Sequence, residues 1–287
     1  MWTALFMAIA QRAGGGEVWK LGEPQEATYP SCAIRRMPEF PDPAGFDAVF
    51  NRGGYPEYEP ILDRVPRSVY YGAGKRWCPA RRHDVILVDT WAQAAIAQGR
   101  WPDSRVIVFH KPAAPCFAPK ATVKQFDIVW VCSNPRPFKG ADWLVRYLPQ
   151  GSSVLRIGSA DPWFLQASQD GRLKVEWIGK VRPKHIPPAA CQAAAGVVCD
   201  DGTCDSGPRV LPELLAMDIP VIVRRTVRCD VDAYVTRQTG EMVDGPDLPQ
   251  AMASLRARAS KLAPREHYAA SLSIGAAAES VIQCVPN

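Results

Sequence analysis

Short apolar segments rich in valine and isoleucine recur along the chain, and each is followed by a stretch whose apolar residues have helical spacing. In the first half these segments are EVWKL (17–21), DAVF (47–50), SVYY (68–71), DVILV (84–88) and RVIVF (105–109). In the second half they are FDIVWVC (126–132), SVLRIG (153–158), KVEWIG (174–179), AGVVC (195–199) and PVIV (220–223). Near-continuous apolar strands that alternate with helices predict an α/β protein whose parallel sheets are covered on both faces.

A segment with several prolines and no apolar period, HKPAAPCFAPKATVKQ (110–125), separates the two halves and is interpreted as a linker. A chain of 287 residues is long enough for two domains of ordinary size. We therefore predict a first domain over roughly 1–120 and a second over 121–263. A last helical stretch, 264–287, is expected to pack back toward the first domain.

Composition and charge narrow the class of protein. With 47% hydrophobic and 22% charged residues the chain is globular rather than disordered. The formal net charge of +5 permits an anionic partner without requiring one. No apolar run reaches the length that a membrane span needs, and the N-terminal segment MWTALFMAIAQRA lacks the basic start of a signal peptide. We therefore expect no integral membrane segment.

The chain has nine cysteines, an odd number, and several lie inside apolar segments. This is typical of free buried thiols in a reducing compartment. Together with the missing membrane signals, this predicts a cytoplasmic protein. Cys199 and Cys204 have no second cysteine pair beside them, so no zinc site and no other metal is expected.

The segment CDDGTCDSGPRVLPELLAMDIPVIV (199–223) carries two carboxylates, Asp205 and Glu213, between two predicted strands. Ligands of parallel sheets bind beyond the carboxyl ends of the strands, and helix N-termini there attract anions. With a helix predicted from about Pro208, Glu213 lies about two turns in, roughly 12 Å along the axis. A ligand that contacts both acids is therefore elongated, with its anionic part between them, as in a nucleoside diphosphate sugar.

A family resemblance follows from these residues. DSGPRVLPELLAMDIPVIV resembles the Glu-x7-Glu signature of retaining GT-B glycosyltransferases, above all those of family 4. Four further segments resemble the family's motifs in the family's order: VWVCSNPRPFKGADWLVRYLP, VLRIGSADP, VEWIGKV and DAYVTRQTGEMVDGPDLPQAMASL. The resemblance covers about 126–262. It implies a GT-B fold, with two Rossmann-like parallel-sheet domains, an interdomain cleft, and a second domain that binds the donor.

The resemblance also implies an activity and site residues. The activity is transfer of a sugar from a nucleotide-diphosphate sugar, UDP-sugar first among them, to a hydroxyl, with no cofactor. Asp205 takes the place of the first acid, which holds the donor-sugar hydroxyls, and Glu213 that of the second, which binds the ribose. Lys139 matches the family's phosphate-binding lysine. The remaining donor-binding positions implied by the resemblance are Ser206, Gly207, Arg209, Val210, Gly158 and Val181.

In the donor-site motifs the sequence departs from the family at two places. The first acid is Asp205, one methylene shorter than the family's glutamate. Where the family has an arginine shortly before its lysine, this chain has Ser133 and Asn134. A diphosphate leaving group needs cationic stabilisation, so Arg136 or Arg209 is expected to supply the missing charge.

The acceptor is less defined. The segment VYYGAGKRWCPARRHD (69–84) mixes basic and aromatic residues, and Tyr71 stands where family members often have a histidine. Basic side chains position phosphates and aromatic rings stack on bases or sugars. The segment is therefore either a solvated loop or an acceptor site for an anion, such as hydroxymethylated DNA or an anionic lipid head group. The candidate acceptor residues are Tyr71, Lys75, Arg76 and Trp77.

Two other functions stay open at this point. A nucleotide-sugar epimerase on the same fold would need further acid and base residues near the donor ring, and none can be placed. A non-catalytic GT-B protein that binds nucleotide or nucleic acid would be consistent with both departures from the family. Loss of donor hydrolysis in Asp205→Ala would separate the enzyme from the binding protein.

Overall fold

A computed structural model describes residues 2–20, 32–36, 45–52, 62–72, 77–203, 208–228 and 230–285. They belong to two compact units. The first comprises Met1–Pro112 and Ile274–Asn287, and the second comprises Ala113–Ser273. The sequence placed the corresponding boundaries at 120 and 263.

The first unit begins with a helix, and its strands all run parallel to their neighbours. β1 pairs with β2, and β3, β4, β5 and β6 form a four-stranded sheet in that order. β4 and β5 are buried along their whole length, as expected for parallel strands covered on both faces. The elements are α1 (Trp2–Arg12), β1 (Gly16–Lys20), β2 (Cys32–Arg36), β3 (Val49–Arg52), β4 (Ser68–Tyr71), β5 (Val85–Val88), α2 (Trp91–Arg100) and β6 (Arg105–Val108).

The second unit is built around one six-stranded parallel sheet with helices on both faces. Its elements are β7 (Phe126–Cys132), α3 (Ala141–Tyr147), β8 (Ser153–Gly158), α4 (Pro162–Gln169), β9 (Lys174–Ile178), α5 (Ile186–Ala190), β10 (Ala193–Val198), α6 (Val210–Ala216), β11 (Val221–Arg224), β12 (Gly240–Val243), α7 (Leu248–Ala257) and α8 (Pro264–His267). Successive residues of β7 face opposite sides: Val129 packs with α6 on one face, and Ile128 packs with α3 and α7 on the other.

The strand order of this sheet is β12-β11-β10-β7-β8-β9. Counted from β7, this is the 3-2-1-4-5-6 order of the doubly wound Rossmann fold read from the opposite edge. The order reverses between β7 and β10. Crevices outside the carboxyl ends of the strands at such a switch point are where ligands of these sheets bind.

The C-terminal helices divide between the two units. Arg265 of α8 donates from Nη1 to the carbonyl oxygen of Ala216 over 2.9 Å, and the following π-helical turn Tyr268–Leu272 adds Tyr268 to the core of the second unit. α9 (Ile274–Ile282) instead packs against α1 in the first unit, where Ala278 and Leu5 belong to one buried cluster.

Alternating parallel strands and helices agree with the sequence prediction, with a few differences. β2 and β12 were not among the predicted strands. β10 begins at Ala193, two residues earlier than predicted. The prediction that Glu213 lies two turns into its helix was wrong, because α6 begins only at Val210 and Glu213 is in its first turn. Across the described residues, the helices are all too short or too polar to span a membrane.

Candidate functional site

The loops that follow β7 and β10 meet at the switch point of the second unit. Lys139 Nζ lies 2.6 Å from Asp200 Oδ2. Asp200 is 6% exposed, and a buried carboxylate requires a charged or hydrogen-bonding partner. The lysine is more exposed than the aspartate. The pair therefore fixes a cation at the carboxyl edge of the sheet, with part of the lysine side chain open to solvent.

Backbone contacts hold the same two loops together. The N–H of Asp201 donates to the carbonyl oxygen of Phe138 over 2.8 Å, and Cys199 Sγ donates to that of Lys139 over 3.2 Å. Gly140 has φ +73°, and a Cβ there would collide with the carbonyl oxygen of Cys199. Only glycine satisfies both conditions. The position of Lys139 is therefore determined by backbone packing as well as by its ion pair.

Side-chain hydrogen bonds join the end of β8 to both neighbouring strands, β7 and β9. Ser159 Oγ donates to the carbonyl oxygen of Ser133 over 2.6 Å, and Trp177 Nε1 donates to that of Gly158 over 3.0 Å. Gly158 has φ +129°, and a Cβ there would collide with the carbonyl oxygen of Cys132. The protein itself thus requires glycine at this position, whether or not a ligand approaches it.

Glu213 lies half-buried in the first turn of α6. Burial disfavours its carboxylate and raises its pKa from 4.5 to about 7, while the positive charge of Arg209 acts in the opposite direction. Arg209 is exposed and precedes the helix, and Val210 is its first residue. A carboxyl with this pKa changes charge near neutral pH and can accept hydrogen bonds from ligand hydroxyls when ionised.

The other donor residues predicted in the second unit are distributed around these loops. Ser133, Asn134 and Arg136 are exposed in the loop after β7, and the Arg136 guanidinium carbon lies 6.0 Å from the Phe138 ring centroid. Val181 is half-buried against the core cluster beside α6. Asp205, Ser206 and Gly207 lie outside the described residues. Of the two acids predicted to bind the donor, the structure therefore describes only Glu213.

In the first unit the two acceptor candidates that the structure describes, Tyr71 and Trp77, lie in or near the core. Tyr71 is 1% exposed, and its hydroxyl donates to Asp89 Oδ1 over 2.9 Å. The other oxygen of Asp89 is 2.9 Å from Lys111 Nζ. Contact between Tyr71 and an acceptor would require the side chain to leave this arrangement. Trp77 is half-buried against the cluster beside α2, and Lys75 and Arg76 lie outside the described residues.

Sequence reasoning did not single out Asp200 or Asp89. Each is the first acidic residue after a buried strand, and this position is the signal that could have identified both. Cys132 and Cys199 are free thiols at the strand ends, and burial raises the pKa of both, which keeps them protonated. Within the described ranges, no three His, Cys, Asp or Glu side chains are grouped so as to hold a metal ion.

Comparisons with known proteins give structural matches only. No protein-family model and no curated protein sequence matches this chain. Sucrose-phosphate synthase from Thermosynechococcus elongatus superposes with a TM-score of 0.68 at 16% identity, over 97% of this chain and 90% of that chain. AviGT4, a glycosyltransferase involved in avilamycin A biosynthesis, superposes with a TM-score of 0.67 at 19% identity, over 98% and 86%. The chain has the GT-B fold.

A third structure is similar over almost its whole length. Anabaena HepE, solved in complex with UDP and glucose, superposes with a TM-score of 0.64 at 10% identity, over 97% of this chain and 94% of that chain. These matches confirm the fold class predicted from the sequence. Identities this low are evidence for the fold alone.

Proposed function

We propose that this chain is a retaining glycosyltransferase that transfers a sugar from a nucleoside diphosphate donor, UDP-sugar first among them, to a hydroxyl group. The observation that carries the proposal is the position of Lys139, which two loops hold at the switch point of a Rossmann-ordered sheet. The GT-B fold supports it, and so does the structure of HepE with UDP and glucose.

In this proposal the donor lies along the carboxyl edge of the second sheet. Lys139 contacts the diphosphate, Glu213 accepts hydrogen bonds from the ribose hydroxyls, and Val181 packs against the base. Asp205 holds the hydroxyls of the transferred sugar. Backbone groups complete the diphosphate site at Ser206, Gly207, Arg209 and Val210, with Gly158, Ser133 and Asn134 along its border.

Charge balance during the reaction assigns roles to three cations. As the bond between the anomeric carbon and the phosphate oxygen breaks, negative charge develops on the departing diphosphate, and fixed cations stabilise it. Lys139 is the first candidate, with Arg136 and Arg209 as exposed partners. The diphosphate has to compete with Asp200 for Lys139, since the two side chains are paired in this structure.

Retention requires the acceptor oxygen to bond to the anomeric carbon on the face from which the diphosphate leaves. The acceptor proton then passes to the departing phosphate oxygen, so no protein base is needed. This agrees with a first unit in which Tyr71 is buried against Asp89.

Donor hydrolysis without an acceptor tests the proposal. Purified protein is incubated with UDP-glucose and UDP-N-acetylglucosamine, and the released sugar is followed by proton NMR before its anomers equilibrate. We expect slow release of the α-anomer, which Asp205→Ala abolishes and Asp247→Ala, a change at an exposed acid of the same unit, leaves unchanged. Release of β-anomer would contradict retention, and a sugar isomer still joined to UDP would indicate an epimerase.

An acceptor search then follows the basic and aromatic segment 69–84. Hydroxymethylated DNA and anionic lipid head groups are added to the same reaction, and transfer is read from the mass of the acceptor. An added sugar mass on either acceptor supports the proposed anionic class. Donor hydrolysis that continues unchanged, with no added mass on either acceptor, would contradict it.

A further inference from the structure

We propose that Arg156 is a positioning residue of the donor site. It is a buried guanidinium that fixes the carboxyl ends of β7 and β8 and places positive charge beneath the donor diphosphate. This inference rests on the proposed function, and it assigns a role to a charged residue that neither the family resemblance nor the Lys139 site explains.

Arg156 is 0% exposed, although it lies on β8 only two residues before the carboxyl end of that strand. Its Nη2 donates to the carbonyl oxygens of Cys132 and Ser159, over 2.8 Å each, and its Nη1 donates to that of Ile157. Cys132 is the last residue of β7, and the other two flank the end of β8. One side chain thus joins the backbones of both strand ends.

Two tryptophans hold the guanidinium in place. Trp130 of β7 and Trp177 of β9 are the register partners of Arg156 on either side. The guanidinium carbon lies 4.4 Å from the ring centroid of Trp130 and 5.7 Å from that of Trp177. Aromatic faces attract a cation electrostatically, so these rings stabilise a charge where ordinary apolar side chains would not.

Within the part of the chain that the structure describes, no carboxylate contacts this charge directly. All hydrogen-bond acceptors of Arg156 among the described residues are carbonyl oxygens, and its Nε has no partner there. Asp161 acts on it only at longer range, and burial lowers the pKa of Arg156. A buried ion is costly, and an apolar residue would pack at this position without that cost. The retained charge is explained if an anion binds nearby.

The donor diphosphate is that anion. The carboxyl edge of a parallel sheet presents carbonyl oxygens, whose partial negative charge would repel phosphate. Arg156 engages three of them at the end of β7 and around Gly158, where its Nη1 lies 2.8 Å from the position of a Cβ. Ser133 and Asn134, which follow β7 directly, occupy the place of the family's arginine. The buried guanidinium supplies from below the positive charge that this loop lacks.

Ligand binding to three substitutions tests the role. Arg156→Met removes the charge and the donors, Arg156→Gln keeps amide donors without charge, and Arg156→Lys keeps the charge. Dissociation constants for UDP and inorganic pyrophosphate are measured by calorimetry, and that for uridine by ligand-observed NMR. Arg172→Met is the matched control, because Arg172 also donates to backbone carbonyls, those of Val145 and Arg146, in the same unit.

We expect Arg156→Met and Arg156→Gln to weaken UDP and pyrophosphate binding at least about tenfold and to leave uridine binding within about twofold. Arg156→Lys should restore both to within about threefold of wild type, and Arg172→Met should change no dissociation constant. If Arg156→Met does not fold, the comparison of Arg156→Gln with Arg156→Lys decides between charge and packing.

Equal weakening of UDP and uridine, or unchanged UDP binding in Arg156→Gln, would overturn the inference in favour of a packing role. A wild-type protein that binds pyrophosphate but not UDP would contradict the donor assignment alone, and the pyrophosphate series would still decide the role of Arg156. Binding of neither ligand would overturn both.

Discussion

The carboxyl group of Glu213 connects the stability of the protein with the chemistry proposed for it. Burial raises its pKa from 4.5 to about 7, so the folded chain holds this proton more tightly than the unfolded chain does. Stability follows the difference in bound protons. Between about pH 4.5 and pH 7 the folded state binds more protons, and the free energy of unfolding therefore falls as the pH rises. The total loss is on the order of 3 kcal/mol.

Glu213→Gln should remove this pH dependence, because glutamine does not titrate. We expect the free energy of unfolding, from urea denaturation at pH 5, 6, 7 and 8, to fall less steeply with pH in this variant than in wild type. Glu176→Gln, at an exposed glutamate on β9, serves as the control and should follow the wild-type curve. Parallel curves for Glu213→Gln and wild type would show that Glu213 titrates normally in the folded chain.

Single residues of the site were only partly predictable. Lys139 and Glu213 were predicted because they match a spaced motif, and their roles stay predictions. Asp200 and Arg156 were missed because their roles depend on which strands are neighbours, and the sequence does not show this directly. Arg156 did leave a local signal, since SVLRIG places an arginine in the middle of an apolar strand. A charged residue there is rarely buried without a function or a partner.

At the scale of elements, the contact between the Lys139 loop and β10 depends on a glycine. Gly140→Ala would force a left-handed φ on alanine and push its Cβ against the carbonyl oxygen of Cys199. Gly151→Ala is the matched control, because Gly151 also has positive φ, +81°, but open space around its Cβ position.

We expect Gly151→Ala to lower the free energy of unfolding by about 1 kcal/mol through backbone strain alone. Gly140→Ala should cost at least about 2 kcal/mol more, as overpacking of a rigid site does, and should weaken nucleotide binding. Urea denaturation of the two variants gives the difference. Equal destabilisation would mean that the two loops are not held together at Gly140.

The central strands were predictable and the edge strands were less so. Segments such as FDIVWVC and SVLRIG are mostly apolar because both faces of the sheet are covered. β12 was missed because GEMV contains a glycine and a glutamate. Gly240 is required there, since a Cβ would collide with the carbonyl oxygen of Val221 on β11. The close approach of β12 to β11 thus requires a glycine at a position where an apolar residue would have indicated a strand.

The start of α6 was misjudged for a related reason. The pattern from 206 to 217 has helical spacing, and Pro208 suits a first turn. The helix nevertheless begins at Val210, with Pro212 in its first turn, where a missing N–H costs no hydrogen bond. Local pattern therefore gave the existence of the helix but not its first residue, and the distance from its start to Glu213 was overestimated.

At the scale of the whole molecule, strand order is the property that decides where a ligand binds. The switch point lies between β7 and β10, which are adjacent in the sheet but distant in the sequence. Lys139 and Cys199, which are hydrogen-bonded to each other in the loops after these strands, are 60 residues apart. Apolar periodicity does not contain this order. The family resemblance did imply it, and the structural matches over almost the entire chain confirm the fold that it belongs to.

Binding of a nucleoside diphosphate to the second unit is the claim on which the proposed function and the role of Arg156 both depend. Thermal unfolding is measured with UDP, GDP, ADP, TDP and CDP, without added metal, for wild type, Lys139→Met, Glu213→Ala and the exposed control Lys174→Met. UDP at 100 times its Kd should stabilise wild type and Lys174→Met by about 2.7 kcal/mol and should stabilise the other two variants much less. No stabilisation by any diphosphate, or equal stabilisation of all four proteins, would contradict the account.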